Sequence, residues 1–178
     1  MIDLLTELRV QTPNYLIRPI VEADLKAIYA VHSDDLVNRY LPYDTWQSWQ
    51  DAERWYARVL ERKNIGEAAQ FVILNKHQPA LVGTAIAFDY VADSNSIEIG
   101  YVLARAFWRQ GVMNEVLNAV LPALADHLSL SGFRANVDCD NTASLNLLAK
   151  LGFQTLDVVT KEDGTRLQQL TKTTKTAL

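Results

Sequence analysis

The sequence predicts one α+β domain, with strands and helices mixed along the chain, rather than a doubly wound parallel sheet. Three strand-like runs, 70–75, 80–90 and 96–103, follow one another with only short turn segments between them. Such a series is typical of an antiparallel meander. Helical patterns precede and follow the meander, which favours a mixed α/β architecture. The length of 178 residues fits a single domain over residues 1–178, with a flexible tail from about residue 172.

The elements before the meander are one strand and two helices. A strand is predicted over 15–18, a helix over 21–32 and a loop over 34–47. Ser48 is a suitable N-cap for the second helix, because Asp51 stands at the acidic position of a capping box. That helix is predicted to run to about residue 63.

The elements after the meander are two helices and three strands. A long helix is predicted after Gly111, up to about residue 130. Pro122 lies inside it and is expected to kink or break it, because proline lacks the backbone donor. A strand over 134–139 and a short helix over 142–150 come next. Two final strands flank a turn at Asp163-Gly164.

The composition excludes several classes of protein. The 17 basic and 21 acidic residues give a formal net charge of -4 and a pI near 5.3, so no broad cationic surface for nucleic acid is expected. The single cysteine, Cys139, excludes an intramolecular disulfide and is predicted to be a buried, inert strand thiol. The three histidines lack metal-site spacing, so no metal is expected. No apolar run is long enough to span a membrane, and the N-terminus is unlike a signal peptide, which predicts a cytoplasmic protein.

The second half of the chain contains two junctions that can bind an anion. The strand 96–103 feeds a turn at 107–111, from which the long helix begins. A glycine at such a turn lets backbone N–H groups face an anion, and the helix N-terminus adds partial positive charge. The pattern predicts a phosphate cradle, although a plain loop before a helix has the same pattern. A second junction at 140–144, with Asn141 or Thr142 as the helix cap, can hold the other part of an elongated ligand.

Four segments, taken together and in order, carry a family resemblance. They are YLIRP with EADL from residue 15, NRYLP from residue 38, EIGYVL with WRQGVMNE from residue 98, and DNTAS through LGF from residue 140. This series resembles the GNAT superfamily of acetyltransferases, and within it the RimJ/RimL-like branch of ribosomal-protein-alanine acetyltransferases. The resemblance implies a mostly antiparallel twisted sheet of about seven strands flanked by about four helices. It also implies acetyl-coenzyme A as the cosubstrate.

The resemblance further implies how the coenzyme would be bound. One strand would pair its backbone with the pantetheine arm, and the turn that follows would hold the pyrophosphate through N–H groups. Asn141 would hydrogen-bond the pantetheine, and Ser144 would lie near the thioester sulfur. The residues expected to contact the coenzyme are Tyr101, Val102, Leu103, Arg109, Gln110, Gly111, Val112, Met113, Asn141 and Ser144.

The chain departs from the family pattern at three positions. Arg109 replaces the first glycine of the turn, and Met113 replaces a small residue. Arg109 can add a charge-assisted contact to a phosphate, so the change does not indicate loss of binding. Leu148 stands where many members carry a tyrosine that protonates the leaving thiolate. The acid is therefore predicted to be Ser144 or a water.

Acetyl transfer to an amine needs a base and a donor for the developing oxyanion. Glu98 lies on the coenzyme strand and is the predicted base, directly or through water, although alternation is equally consistent with a solvated strand carboxylate. Asp138, on the next strand, is a second candidate base. A backbone N–H near Val102 is the candidate oxyanion donor. Ser144 can instead be a simple helix-start residue, as Asn141 can be a simple cap.

The segment 40–56 is rich in aromatic residues and predicts the acceptor side of the site. Tyr40, Tyr43 and Trp46 lie in the loop and are expected to line an acceptor pocket, since loops carry specificity. Trp55 is expected to pack in the core, because its spacing is helical. The acceptor is predicted to be a primary amine, either the N-terminus of a ribosomal or other protein or a small amine. The protein is expected to be a monomer or a homodimer.

Two other functions use the same features. One is a catalytically inactive coenzyme A-binding module that acts as a sensor or regulator, for which the changes at Arg109, Met113 and Leu148 leave room. The other is ATP binding at the Gln110-Gly111 turn, which is disfavoured because no Gly-Lys-Ser/Thr sequence ends there.

Overall fold

The computed structural model describes Leu5 and residues 7–174. Eight strands and five α-helices occur in this part of the chain, together with short 3₁₀ turns. The strands are β1 (Val10–Gln11), β2 (Tyr15–Pro19), β3 (Ala68–Asn75), β4 (Ala80–Val91), β5 (Ser96–Leu103), β6 (Gly132–Asp138), β7 (Gln154–Thr160) and β8 (Arg166–Thr173). The helices are α1 (Leu25–His32), α2 (Asp35–Asn38), α3 (Trp49–Asn64), α4 (Val112–Leu128) and α5 (Thr142–Lys150).

All eight strands form one sheet in the order β1-β2-β3-β4-β5-β6-β8-β7. Every neighbouring pair is antiparallel except β5 and β6, which are parallel. The predicted meander is β3-β4-β5, and the predicted mixed α/β fold with a mostly antiparallel sheet is confirmed.

The two faces of the sheet have separate apolar cores, because strand side chains alternate between faces. One core packs α4 and α5 on residues such as Ile97, Ile99 and Phe133. The other packs α1, α3 and the loop before α3 against the opposite face, around Val72. The sheet therefore separates the molecule into an α4/α5 side and an α1/α3 side.

A notch opens between β5 and β6, at the point where the strand direction changes. The two strands pair only over Ser96–Glu98 and Gly132–Arg134. Beyond that point β5 stays paired with β4 up to Leu103, while β6 stays paired with β8 up to Asp138. The edge of β5 that faces β6 is therefore left open along the rest of its length.

The local predictions that rested on capping and turn chemistry are confirmed. Ser48 caps α3 in a capping box with Asp51, whose carboxylate accepts a hydrogen bond from the Ser48 N–H at 2.9 Å. The turn at Asp163-Gly164 joins β7 to β8, with Gly164 at a φ of +85°.

Several predicted boundaries were wrong. The predicted loop 34–47 contains the short helix α2, whose cap Asp34 accepts from the N–H of Leu36. The long helix ends at Leu128, where Ser129 is left-handed, and Pro122 does not break it. Strand β1 was not predicted.

The tail prediction was wrong where it overlaps the described residues. Strand β8 continues through 172–173, and Lys172 lies opposite Phe133 of β6. The Lys172 Nζ also donates to the carbonyl of Leu151 at 2.6 Å. The remainder of the predicted tail, 175–178, lies outside the described residues.

Candidate functional site

The open edge of β5 presents backbone polar groups of alternate residues. The Ala104 N–H donates to Val82 of β4 at 2.9 Å, and the Val102 carbonyl also points at β4. Because polar groups alternate between the two edges of a strand, those of Tyr101 and Leu103 face the notch. Near Val102, where the oxyanion donor was predicted, the N–H groups of Tyr101 and Leu103 therefore face the notch, and the N–H of Val102 itself faces β4.

The turn between β5 and α4 has a glycine-like backbone at two positions. Arg109 has a φ of +60° and Gly111 a φ of +77°. Arg109 thus keeps the left-handed conformation expected of the glycine that it replaces, at a cost of about 1–3 kcal/mol. A Cβ built on Gly111 would meet nothing within 4 Å, so the space above this turn is open to a ligand.

Helix α4 begins at this turn and offers backbone groups rather than side chains. Val112 is 1 % exposed and Met113 is 6 % exposed, and both side chains pack into the core beneath. The N–H groups of a first helical turn have no intrahelical acceptor, and the helix dipole adds positive charge there. Gln110, Gly111, Val112 and Met113 therefore form the start of a helix that can hold an anion. The indole of Trp108 closes the turn by donating to the Leu103 carbonyl at 2.7 Å.

The second junction, at the start of α5, joins the first through two hydroxyl groups. Asn141 caps α5, since its Oδ1 accepts from the Ser144 N–H at 3.2 Å. The Ser144 Oγ lies 2.7 Å from the Tyr101 Oη, in a hydrogen bond. Burial of the ring raises the pKa of Tyr101 to about 12, while the Ser144 hydrogen bond acts in the opposite direction. Leu148 is fully buried, so it offers no group to a ligand.

Glu98 lies on the face of β5 opposite to the Tyr101 side chain, and it is a buried carboxylate, not a solvated one. The residue is 8 % exposed. The Asn136 Nδ2 donates to its Oε1 at 2.9 Å, and the Arg134 Nη1 lies 3.6 Å from its Oε2. Asp138, the second candidate base, uses its Oδ1 to accept from the Asp140 N–H at 2.8 Å. Glu98 is thus held in place on the α1/α3 side of the sheet, while Asp138 stabilises a turn.

The loop before α3 reaches across to the second junction. The Tyr40 Oη donates to the Asp140 carbonyl at 3.1 Å. This contact connects the α1/α3 side with the residue next to Asn141. Tyr40 therefore lies over the β6–α5 turn, beside the notch.

Trp46, which was predicted to line the acceptor pocket, is instead buried among other aromatic rings. It is 6 % exposed and packs 4.6 Å, centroid to centroid, from the ring of His32. Trp55 is 8 % exposed in the same cluster, as predicted. Trp46 was misassigned because the loop has no periodic pattern, and its burial depends on contacts with α1 and α3.

His32 is the buried polar centre of this aromatic cluster. Its Nδ1 lies 3.1 Å from the Asn38 Oδ1, and its Nε2 is buried without a hydrogen-bond partner. Burial lowers the pKa of His32 to about 4, and the Asn38 hydrogen bond only partly opposes this. His32 is therefore a neutral core residue at physiological pH.

A groove of about 230 Å³ lies on the α1/α3 side, next to the strand that pairs with β5. Of the three predicted loop residues, Tyr43 lines the groove, and Tyr40 and Trp46 do not. The sequence did not identify the other lining residues as a site. Apart from Pro42, they come from α3, β3 and β4 and meet only in the folded chain. They include Trp55, Arg58, Arg62, Gln70 and Ile86.

Cys139 is not the buried strand thiol that was predicted. It is half-buried and follows the last residue of β6. Its N–H donates to the Arg166 carbonyl at 2.9 Å, which fixes the backbone at this turn.

Two properties of the described residues bear on ligands and location. They contain no group of three or more histidine, cysteine, aspartate or glutamate side chains that could hold a metal ion. None of their helices has the length and apolar character needed to cross a membrane.

Sequence comparison identifies a known domain in this chain. Residues 14–154 match the acetyltransferase (GNAT) domain family. An uncharacterized N-acetyltransferase of Bacillus subtilis, YoaA, is 33 % identical over 149 residues, which cover 81 % of each chain.

Structure comparison gives the same fold at low sequence identity. The RimL ribosomal L7/L12 alpha-N-protein acetyltransferase in complex with coenzyme A has a TM-score of 0.82 at 15 % identity and covers 96 % of this chain and 100 % of its own. A spermidine N-acetyltransferase from Vibrio cholerae, in complex with coenzyme A and spermine, has a TM-score of 0.79 at 16 % identity, over 91 % of this chain and 96 % of its own.

Proposed function

The chain belongs to the acetyltransferase (GNAT) family and is an acyltransferase, and from this premise we propose that it transfers an acetyl group from acetyl-coenzyme A to a primary amine. The observation that carries the proposal is the open edge of β5 beside the start of α4. An extended ligand with amide groups and a pyrophosphate fits such an edge followed by such a helix start. The RimL and spermidine acetyltransferase structures, which contain coenzyme A, support this choice of cosubstrate.

The donor would be held mainly by backbone atoms. The polar groups of Tyr101 and Leu103 would hydrogen-bond the pantetheine amides, as a further strand would. The N–H groups of Arg109 to Met113 would bind the pyrophosphate, and the exposed Arg109 guanidinium can add a charge-assisted contact. The Asn141 cap uses Oδ1, so its Nδ2 is the atom that would meet the pantetheine.

Glu98 would act as the base on the acceptor amine. Acetyl-coenzyme A supplies the acyl group as an activated thioester. A C–N bond forms as the C–S bond breaks, and the amine proton passes to Glu98. The sulfur leaves as a thiolate that takes a proton from Ser144 or a water, and solvent then replaces that proton. Glu98 and Tyr101 are three residues apart on an extended strand, about 10 Å, so the proton would travel through water. The Asn136 and Arg134 contacts would keep the carboxylate oriented.

The Ser144 hydroxyl would donate a hydrogen bond to the leaving sulfur, and the Tyr101 hydroxyl would hydrogen-bond Ser144. The Tyr101–Ser144 hydrogen bond supplies an O–H group at the start of α5, one turn before the buried Leu148. With its pKa raised to about 12, Tyr101 stays protonated and so remains a hydrogen-bond donor. The N–H of Tyr101 or Leu103 would stabilise the negative charge that develops on the carbonyl oxygen.

The acceptor is a primary amine, either a protein N-terminus or a small amine, and Tyr40 and Tyr43 are proposed to contact it. We further propose that the chain belongs to the RimJ/RimL-like branch and that a ribosomal protein is one candidate acceptor. We also propose a cytoplasmic location, a monomeric or homodimeric state and a single domain over residues 1–178.

A thioester-release assay with acetyl-coenzyme A tests the proposed function. Peptide N-termini and small amines should be tested in parallel, and at least one class should be acetylated. If coenzyme A binds but no amine is acetylated, the proposal fails and the regulatory module is favoured. If ATP stabilises the protein against heat and acetyl-coenzyme A does not, the nucleotide-binding alternative replaces it.

A further inference from the structure

We infer that the groove on the α1/α3 side selects amines that carry a carboxylate, and that Arg58 binds that carboxylate. The inference rests on the proposed function, because it names the class of acceptor that this site would take. The groove has Tyr43 and Trp55 as aromatic walls and two arginines as its charged residues, with no aspartate or glutamate in its lining.

The groove lies next to the notch. Ile86 lines it and pairs with Gly100 of β5 in the β4–β5 ladder. A Cβ built on Gly100 would approach the Ile86 Cγ2 to 3.0 Å, so the two residues are in direct contact on this face. Paired residues on neighbouring strands lie about 5 Å apart, so a ligand in the groove is one strand from the open edge of β5. Glu98 lies on this same face of β5, two residues before Gly100.

Of the two arginines, Arg58 is the one free to bind an anion. Arg62 is paired with Glu67, with an Nη2 to Oε1 distance of 2.8 Å, and its guanidinium lies 5.4 Å from the centre of the Phe88 ring. Arg58 forms no ion pair with any other residue that the structure describes. Its charge is close enough to Tyr43 to oppose the rise in pKa that burial causes in that residue.

The charge and size of the groove define the ligand. An arginine without an ion-pair partner, in a groove lined by no aspartate or glutamate, attracts anions and repels cations such as polyamines. A volume of about 230 Å³ suits a small molecule or the end of a chain. The shared chemistry is a primary amine with a nearby carboxylate, which a free amino acid offers, as does a peptide with an acidic residue near its N-terminus.

A second groove, of about 600 Å³, lies between α1 and the segment after β5, and it does not share this property. Its charged residues, Asp34 and Arg105, are paired with each other at 2.8 Å. It therefore presents no unpaired charge to an anion.

The test compares matched acceptors with wild type, Arg58→Gln, Arg58→Lys and Arg54→Gln. The acceptors are an amino acid and its carboxamide, an aspartate-containing peptide and its asparagine counterpart, and spermidine. Arg54 is the control, because it lies one turn earlier on α3, outside the groove, and is paired with Asp51. Acceptor binding to the coenzyme A-loaded protein is measured beside kcat/KM, and thermal unfolding checks that each variant folds.

Wild type should prefer the carboxylate member of a pair by about 10- to 100-fold in kcat/KM, the effect expected for a hydrogen bond to a charged group. Arg58→Gln should remove that preference without weakening coenzyme A binding, Arg58→Lys should keep part of it, and Arg54→Gln all of it. The acceptor pair in which the preference appears shows whether the acceptor is a free amino acid or an acidic peptide.

A preference for spermidine, or an unchanged preference in Arg58→Gln, would overturn the inference and leave the proposed function intact. If no amine is acetylated but Arg58-dependent carboxylate binding persists, the proposed function falls and the binding site stands.

Discussion

The two sides of the candidate site differ in whether backbone or side-chain atoms would contact a ligand. On the donor side, meaning the open edge of β5 with the turn 109–113 and the start of α5, most groups available to a ligand belong to the backbone. On the acceptor side, meaning the groove with Glu98, they belong to side chains from the loop before α3, from α3 itself and from three strands. Substitutions should therefore change acceptor chemistry strongly and donor binding weakly, unless they alter backbone conformation.

Removing the charge of Glu98 is expected to have the largest effect. Glu98→Gln should lower kcat by about 10²- to 10⁴-fold, the usual contribution of a general base, because the amide cannot accept the amine proton. Coenzyme A affinity, measured by calorimetry, should stay within a few fold, because Glu98 lies on the opposite face from Ser144.

Asp138→Asn is the matched control, since Asp138 contributes its carboxylate to a turn. An unchanged rate in Glu98→Gln, or a larger loss in Asp138→Asn, would remove Glu98 from the role of base.

Acid should destabilise the acceptor side through His32. With its pKa lowered to about 4 from 6.5, His32 stays neutral in the folded protein while the unfolded chain takes up a proton. The free energy of unfolding should fall as the pH drops from about 6.5 to 4, by about 3 kcal/mol for this group, and the loss should be absent above pH 6.5.

Urea unfolding at a series of pH values measures this loss. His32→Gln should flatten the profile between pH 4 and 6.5 relative to wild type. Parallel profiles for wild type and His32→Gln would show that His32 is not the titrating group.

Arg109→Gly should have the smallest effect, because the donor side depends on the backbone. Glycine keeps a φ of +60° without strain, so the relief of about 1–3 kcal/mol is offset in part by the entropy of glycine in the unfolded chain. Coenzyme A affinity should fall by at most about fivefold, the value of one exposed ion pair. A loss above 100-fold in calorimetry would mean that the Arg109 side chain is central to donor binding.

The features predicted correctly from sequence were those set by local chemistry. The capping box of Ser48 and Asp51 and the turn at Asp163-Gly164 each depend on a few adjacent residues. The family resemblance placed a glycine position at Arg109, and the structure shows a glycine-like backbone there although the residue differs.

The features missed were those set by distant contacts. Trp46 is buried by α1 and α3, and 172–173 form a strand because β6 lies beside them. Arg58 carries no motif, and the groove that it lines is completed by residues from β3 and β4 that fold against α3. Backbone sites can thus be recognised from a short segment, whereas sites built from side chains need the fold.

Hydrogen exchange of the β5 amides, measured residue by residue with and without coenzyme A, tests the account most directly. If the coenzyme binds along the open edge, the N–H groups of Tyr101 and Leu103 gain protection. Those of Gly100 and Val102, which face β4, change little. Binding of coenzyme A with no added protection at Tyr101 and Leu103 would contradict the account, because the donor would then bind elsewhere on the molecule.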